Sequence, residues 1–163
     1  MVSISPSGTL AVGMQLPIQS KSTNFGEAWE ADAGAAELAR VARAADYAGF
    51  AYLAVCDHIA IPSEKAPAMG TEWWDTVATL GWLAGITDRT RLLSHIYVPA
   101  YRHPLQVAKA FATLDVVSGG RIILGVGAGH VREEFELLGL PFEQRGRLLD
   151  ESIDALRAAF AED

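Results

Sequence analysis

The chain has one cysteine, Cys56, among 163 residues. A lone thiol cannot close an internal disulfide and supplies none of the paired thiolates of a zinc site. Cations are also scarce: 13 Lys plus Arg against 20 Asp plus Glu leave a net charge of −7, a balance that repels a polyphosphate backbone. Nucleic acid is thereby excluded as an expected partner. No stretch reaches the roughly 18 unbroken apolar residues of a membrane span, and the first basic residue is Lys21, so the charged n-region of a signal peptide is missing. These absences predict a cytoplasmic protein with no membrane partner. Sequence repeats, low-complexity tracts and interdomain linkers are lacking too. Apolar residues, by contrast, are plentiful at 50%, with 20% charged, enough for the core of one domain.

Two periodicities alternate along the chain. A short apolar stretch at 9–16, closed by Pro17, predicts a strand, and Leu38, Val41, Ala42 and Ala45 at helical spacing before Gly49 predict a helix over 31–48. A strand at 51–55 follows, then a helix at 74–86 with Val77, Leu80, Gly81 and Ala84 on one stripe, then a strand at 91–98. The next helix opens at His103-Pro104, turns Val107, Ala110, Phe111 and Leu114 inward and stops at Ser118-Gly119-Gly120. A strand at 121–126, a helical stretch at 133–138 and an amphipathic helix at 142–161, with Leu149, Ile153, Leu156 and Phe160 on its buried face, complete four βα units. Such a pattern predicts a parallel sheet covered by helices, as either an open doubly wound sheet or a closed (β/α) barrel. In both, ligands sit at the C-terminal ends of the strands. The long 59–72 loop, which contains Pro62, Pro67 and Gly70, is a candidate lid.

Three of the four histidines fall at those strand ends: His58 after Cys56-Asp57, His95 after Ser94, and His130 after the run Gly125-Val126-Gly127-Ala128-Gly129. Imidazole titrates near neutrality, so this clustering suits a proton-coupled site. His58 is the leading candidate for a hydrogen-bond donor or general acid/base, with Asp57 close enough to orient it once the chain has turned. His95 reads equally well as a satisfied core histidine. Glycines at alternate positions do not make a dinucleotide fingerprint, because positions 130 and 132 hold His130 and Arg132. They permit either close approach of a flat ligand or close packing of backbone. Cys56 is expected to be a small buried hydrophobe, and His103 to serve the start of its helix. Trp73 and Trp74 are either core or a shield for a ring ligand. Arg89, Arg91 and Arg121, at strand starts, are expected to be solvated.

The succession Asp57-His58-Ile59-Ala60-Ile61-Pro62, Arg102-His103-Pro104, Ala112-Thr113-Leu114-Asp115, Ser118-Gly119-Gly120-Arg121, Leu124-Gly125-Val126-Gly127-Ala128-Gly129 and Arg132-Glu133-Glu134-Phe135 resembles the luciferase-like monooxygenase family, and most closely its branch that uses the deazaflavin coenzyme F420. The resemblance runs from Leu10 onward. It implies a (β/α)8 barrel of which this chain is the N-terminal half, the first four βα units. It implies hydride transfer between F420 and a small organic substrate, with FMN-dependent monooxygenation by dioxygen as the alternative and a non-catalytic half-barrel or assembly module as a third reading. His58 and His130 become the expected catalytic residues. Asp57, Ser94, His95, Ile96, Gly127, Ala128 and Gly129 become the expected cofactor contacts, with a bulge and a non-proline cis bond at His95-Ile96. At position 130 tryptophan or glutamate is frequent in relatives. A half-barrel exposes two unpaired strands, so a homo-oligomer or a separate C-terminal half is the expected partner.

Overall fold

The computed structural model describes residues 8–24 and 26–161. Four strands, β1 (Met14–Gln15), β2 (Tyr52–Val55), β3 (Arg91–Tyr97) and β4 (Ile122–Val126), lie in the order β1-β2-β3-β4, and each neighbouring pair is parallel. Parallel strands need long crossovers. These carry α1 (Ala35–Ala48), then the short α2 (Ala66–Met69) and α3 (Thr76–Ala84), then α4 (Pro104–Ser118); α5 (Arg132–Leu137) and α6 (Arg145–Phe160) follow β4. The order of elements matches the spacing in the sequence. β1 is shorter than the expected 9–16 because only Met14 and Gln15 are in register with Leu53 and Ala54 of β2.

Side chains alternate across a strand, and here the two faces of the sheet differ. Leu53, Val55 and Leu92 point to one face and pack with Leu38 and Ala42 of α1, Leu80 and Leu83 of α3, and Val107, Phe111 and Leu114 of α4 in a single core. Tyr52, Leu93 and Ile123 point to the other face, are only half-buried and belong to neither hydrophobic cluster. A doubly wound sheet has helices on both faces, whereas a barrel has them outside only. The chain is therefore α/β with a partial barrel, and among the described residues β1 and β4 are its open edges. The stripe of α6 is less covered than its amphipathic pattern suggests: Leu156 is buried, but Phe160 is 48% exposed. α6 lies against α4 and the 99–101 turn, and its last turn has no helix beyond it among the described residues.

Local chemistry sets the helix ends. Asp75 caps α3 by accepting the Ala78 amide at 2.8 Å, and His103 caps α4 by accepting the Leu105 amide at Nδ1, as expected of a residue placed beside Pro104. Gly49 and Gly119 end α1 and α4 in the left-handed region. Among the arginines at the strand starts, Arg121 departs from expectation. Arg121 donates to the carbonyls of Ser118, Thr90 and Ala84 and to Thr87 Oγ1, and Arg89 donates to the carbonyls of Asp46 and Tyr47. Helix C-termini leave carbonyls unpaired at this end of the sheet, and the half-buried Arg121 satisfies those of Ser118 and Ala84, while Arg89 reaches those of Asp46 and Tyr47 and is still exposed, as expected.

Asp46, buried in the last turn of α1, accepts the amides of Asp88, Arg89 and Thr90. Burial pushes its carboxyl up, but the three amides outweigh this and hold it below the ordinary carboxylate value. A depressed native pKa adds stability that is complete above the unfolded value, about 3.9, and is lost as the pH falls through the native value. Asp46→Ala is expected to lower unfolding stability by about 1–3 kcal/mol at pH 7. Urea melts at falling pH should show the gap to wild type narrowing below about pH 4. A constant gap would mean that the carboxylate charge contributes nothing.

Candidate active site

The C-terminal ends of the strands meet at an open cavity of about 240 Å³. Gln15 ends β1, Cys56, Asp57 and His58 leave β2, His95 and Ile96 sit in β3, and Gly129 and His130 follow β4; all of them line it. Parallel strands put these segments on one rim although they are far apart in sequence. All three histidines picked out by position are thus brought together. The His58 and His130 rings are 5.8 Å apart, edge to face.

His58 is the enclosed member, with its side chain 11% exposed. Its Nδ1 lies 3.1 Å from Oε2 of Glu134, and the edge of Trp73 closes over its ring at 4.4 Å between centroids. Glu134 is fully engaged: Oε1 accepts the amides of Ile59 and Ala60 at 2.6 and 3.2 Å, and Oε2 accepts the Tyr101 hydroxyl at 3.2 Å. Burial pushes its carboxyl up, yet the hydrogen bonds from His58 and the loop amides prevail and its pKa lies below the ordinary value. Tyr101 moves the opposite way: burial, then the adjacent Glu134 charge, raises its pKa and keeps it a hydroxyl.

Sequence reasoning missed Glu134 as a site residue. A signal was present, since the spacing Val131, Glu134, Phe135 puts a carboxylate on the inward stripe of α5, between side chains that the fold buries.

Asp57 does not orient His58. Its two oxygens receive Arg102 in a fork at 2.6 and 2.8 Å, along with the Val98 amide and the Thr76 hydroxyl. The expected pairing of neighbours fails because each side chain is taken by a distant partner, Asp57 by Arg102 and His58 by Glu134. Asp57 instead ties β2 to the segment after β3. Arg102 also stacks on the Tyr97 ring, 4.3 Å from its centroid. Burial pushes the Tyr97 hydroxyl up to about 12, with Arg102 working against it. The Cys56 thiol is half-buried and accepts from Gln15 Nε2 at 2.8 Å. Burial raises its pKa, so it stays a thiol and not a nucleophilic thiolate.

In β3 the His95-Ile96 peptide is cis, and the register with β4 shifts between Ser94 and Tyr97, where the resemblance implies a bulge. Ser94 is buried and its hydroxyl both donates to the Gly125 carbonyl and accepts the Gly125 amide, so it fastens β3 to β4. His95 and Ile96 are exposed, which excludes the core reading of His95. Within the glycine run, Gly125 packs on backbone and Gly127 on the Ile96 side chain. A Cβ on Gly125 would lie 2.4 Å from the Ser94 carbonyl oxygen, and one on Gly127 would lie 2.0 Å from Ile96 Cδ1. Ala128 is half-buried between these glycines and His130.

The two tryptophans separate. Trp74 packs on the core and against Trp82, while Trp73 lines the cavity and its buried indole Nε1 has no hydrogen-bond partner. The candidate lid is tied down at several points. Thr23 donates to the carbonyls of Pro67 and Ala68, Lys21 N donates to Glu72, and Lys65 meets Glu133 at 2.6 Å. Gly70 passes so close to the Lys21 carbonyl that a Cβ would lie 2.2 Å from its oxygen.

An apolar wall at Ile96 and Val98, an unpaired indole donor and a shielded imidazole together fit a flat heterocycle with hydrogen-bonding edges. The cavity is smaller than the roughly 300 Å³ at which small-molecule pockets usually begin, as expected of a rim built from four strand ends.

A profile of the luciferase-like monooxygenases matches residues 12–163. The chain belongs to that family. It is 33% identical over 129 residues to an uncharacterized protein of Mycobacterium tuberculosis, covering 72% of this chain and 45% of that one. It is 39% identical over 106 residues to 5,10-methylenetetrahydromethanopterin reductase of Methanopyrus kandleri, covering 65% of this chain and 27% of the reductase. The solved F420-dependent reductase from the same organism superposes with a TM-score of 0.57 at 30% identity, over 81% of this chain and 30% of the reductase. Monooxygenase RslO1 of Streptomyces bottropensis superposes with a TM-score of 0.73 at 25% identity, over 94% of this chain and 43% of RslO1. The FMN-bound oxygenating constituent of 3,6-diketocamphane monooxygenase from Pseudomonas putida shares the fold, with a TM-score of 0.67 at 17% identity over 91% of this chain and 39% of that one. The chain thus spans under half the length of the relatives it matches. The relatives it matches include an F420-dependent glucose-6-phosphate dehydrogenase of Amycolatopsis mediterranei and the F420-dependent reductase, and an FMN-bound monooxygenase shares the fold. Among the described residues no helix is long and apolar enough to cross a membrane.

Proposed function

We propose that this chain is the N-terminal half of an F420-dependent oxidoreductase acting on a small organic substrate. The observation that carries the reading is the enclosed His58 imidazole, held by a buried carboxylate at the rim of a cavity that Ile96 and Val98 also line. The bound deazaflavin would supply the hydride chemistry. Ile96 and the backbone at Gly127, Ala128 and Gly129 would form the seat of its ring, with Ser94 holding that seat in register from behind and His95 at its margin. Trp73 Nε1 would meet a polar edge of the ligand. His58 would manage the proton that accompanies hydride transfer, with His130 as the second group able to carry it. Asp57 would act by keeping the rim in place, through Arg102 and Val98.

FMN with dioxygen as co-substrate is the second reading, favoured by the monooxygenases that share the fold. A non-catalytic half-barrel is the third. The remaining strands would come from a C-terminal half or from a second copy pairing its β1 with β4 of the first. Absorbance titration of the purified chain with F420 and, separately, with FMN distinguishes these readings. Weak saturable uptake of F420 with a shifted visible band is expected. Preferential uptake of FMN would replace the first reading by the second, and uptake of neither by the third.

A further inference from the structure

We infer that Glu134 is a positioning residue that fixes His58 as its Nδ1–H tautomer, leaving Nε2 as the atom with a free lone pair. The argument is one of donor and acceptor matching. An ionised carboxylate only accepts hydrogen bonds, so the atom 3.1 Å from Oε2 has to bring a proton. Glu134 is 1% exposed in its side chain, and its other partners, the Ile59 and Ala60 amides and the Tyr101 hydroxyl, are donors as well. These three donors favour the ionised, acceptor-only form of Glu134, and against that form Nδ1 has to be the fourth donor. The net lowering of its pKa agrees with this.

The other rings near His58 are Trp73, whose indole nitrogen can only donate, and His130 at 5.8 Å between centroids. Neither offers a fixed acceptor that would favour the opposite tautomer.

The same carboxylate holds the first amides of the 59–72 loop, so one side chain sets both the imidazole and the loop that follows it. The chemical consequence rests on the proposed oxidoreductase reading, whereas the tautomer does not. On that reading the bound deazaflavin would supply the hydride chemistry. Nε2 would be the atom that takes a proton from the substrate or returns one to it, and Glu134 would face the imidazolium that forms when the proton is taken.

Glu134→Gln makes a specific test. Backbone amides can only donate, so the glutamine Oε1 must remain with Ile59 and Ala60, which places its NH2 where Oε2 faced His58. A donor there requires an unprotonated Nδ1, and the imidazole should switch to the Nε2–H form. The measurement is a two-dimensional 15N–1H correlation of the histidine rings in the full chain, without cofactor, at a pH where His58 is neutral. His58→Gln identifies the signals by their loss. Wild type is expected to show the Nδ1–H pattern and Glu134→Gln the inverted one, while Tyr101→Phe, which removes only a competing donor, keeps the wild-type pattern. An Nε2–H pattern in wild type overturns the inference whether or not the glutamine variant folds, as does a folded Glu134→Gln protein that retains Nδ1–H. The expected tautomers in a chain that takes up neither F420 nor FMN would leave this inference standing and remove the functional reading.

Discussion

Replacing Asp57 by alanine is expected to cost about 3–5 kcal/mol of folding stability, the cost of stranding one member of a buried ion pair. The Asp57 side chain is 1% exposed and that of Arg102 is 19% exposed, so solvent can do little to rescue the guanidinium left behind. The Val98 amide also loses its acceptor, whereas the Thr76 hydroxyl keeps the Cys56 carbonyl at 2.7 Å. A domain of this size has about 5–15 kcal/mol in total, so the variant should unfold at a much lower urea concentration, and the segment after β3 should lose its fastening to the end of β2. Arg102→Ala alone should be costly for the mirror-image reason. The double variant is expected to be less destabilised than the sum of the two, because no uncompensated charge is left buried. Urea melts of the four proteins measure this directly. Additive losses would show that the fork contributes no coupling, and the rim would then need another anchor.

The second large effect concerns chemistry. In cofactor-loaded protein that turns over, His58→Ala is expected to lower kcat by about 10²-fold or more, the usual range for loss of a positioned acid or base. Cofactor affinity should stay within about several-fold, because the variant keeps the Ile96 wall and the Trp73 indole. The contrast between kcat and the dissociation constant is the informative quantity. Unchanged turnover would remove His58 from the proton path. A parallel collapse of affinity would make it a wall of the pocket. The absolute rate of the 163-residue chain should be low in either case, since a rim of four strand ends leaves half of a bound ring in water.

The sequence made the order of elements legible, and with it the rim. Hydrophobic spacing alternates between the strand and helix periods from 9–16 to 142–161, and the turn signals at Gly49, Pro104 and Gly119-Gly120 mark where the chain changes direction. Parallel strands then force His58, His95 and His130 onto one rim whatever lies between them, so position alone singled them out. The motifs from Asp57 to Phe135 resemble those of the family that the profile match shows. Local pattern also predicted the cap at His103, where a proline in the first helical turn leaves the preceding residue free to cap.

Only the tertiary structure decided which of two architectures the βα units adopt, because an open sheet and a barrel share the same local periodicity. The decision lies in the faces of the sheet: Leu53, Val55 and Leu92 are covered by helices, whereas Tyr52, Leu93 and Ile123 are not part of that core. Pairings between distant side chains were equally invisible. Glu134 lies 76 positions from His58, and Arg102 lies 45 from Asp57. Adjacency in the chain suggests Asp57 beside His58, but each side chain finds its partner across the rim. Arg121, which looks solvated in sequence, is taken up by carbonyls at the ends of helices. A sequence sets which groups can donate, accept or carry charge, and the close packing of distant segments determines which of them meet.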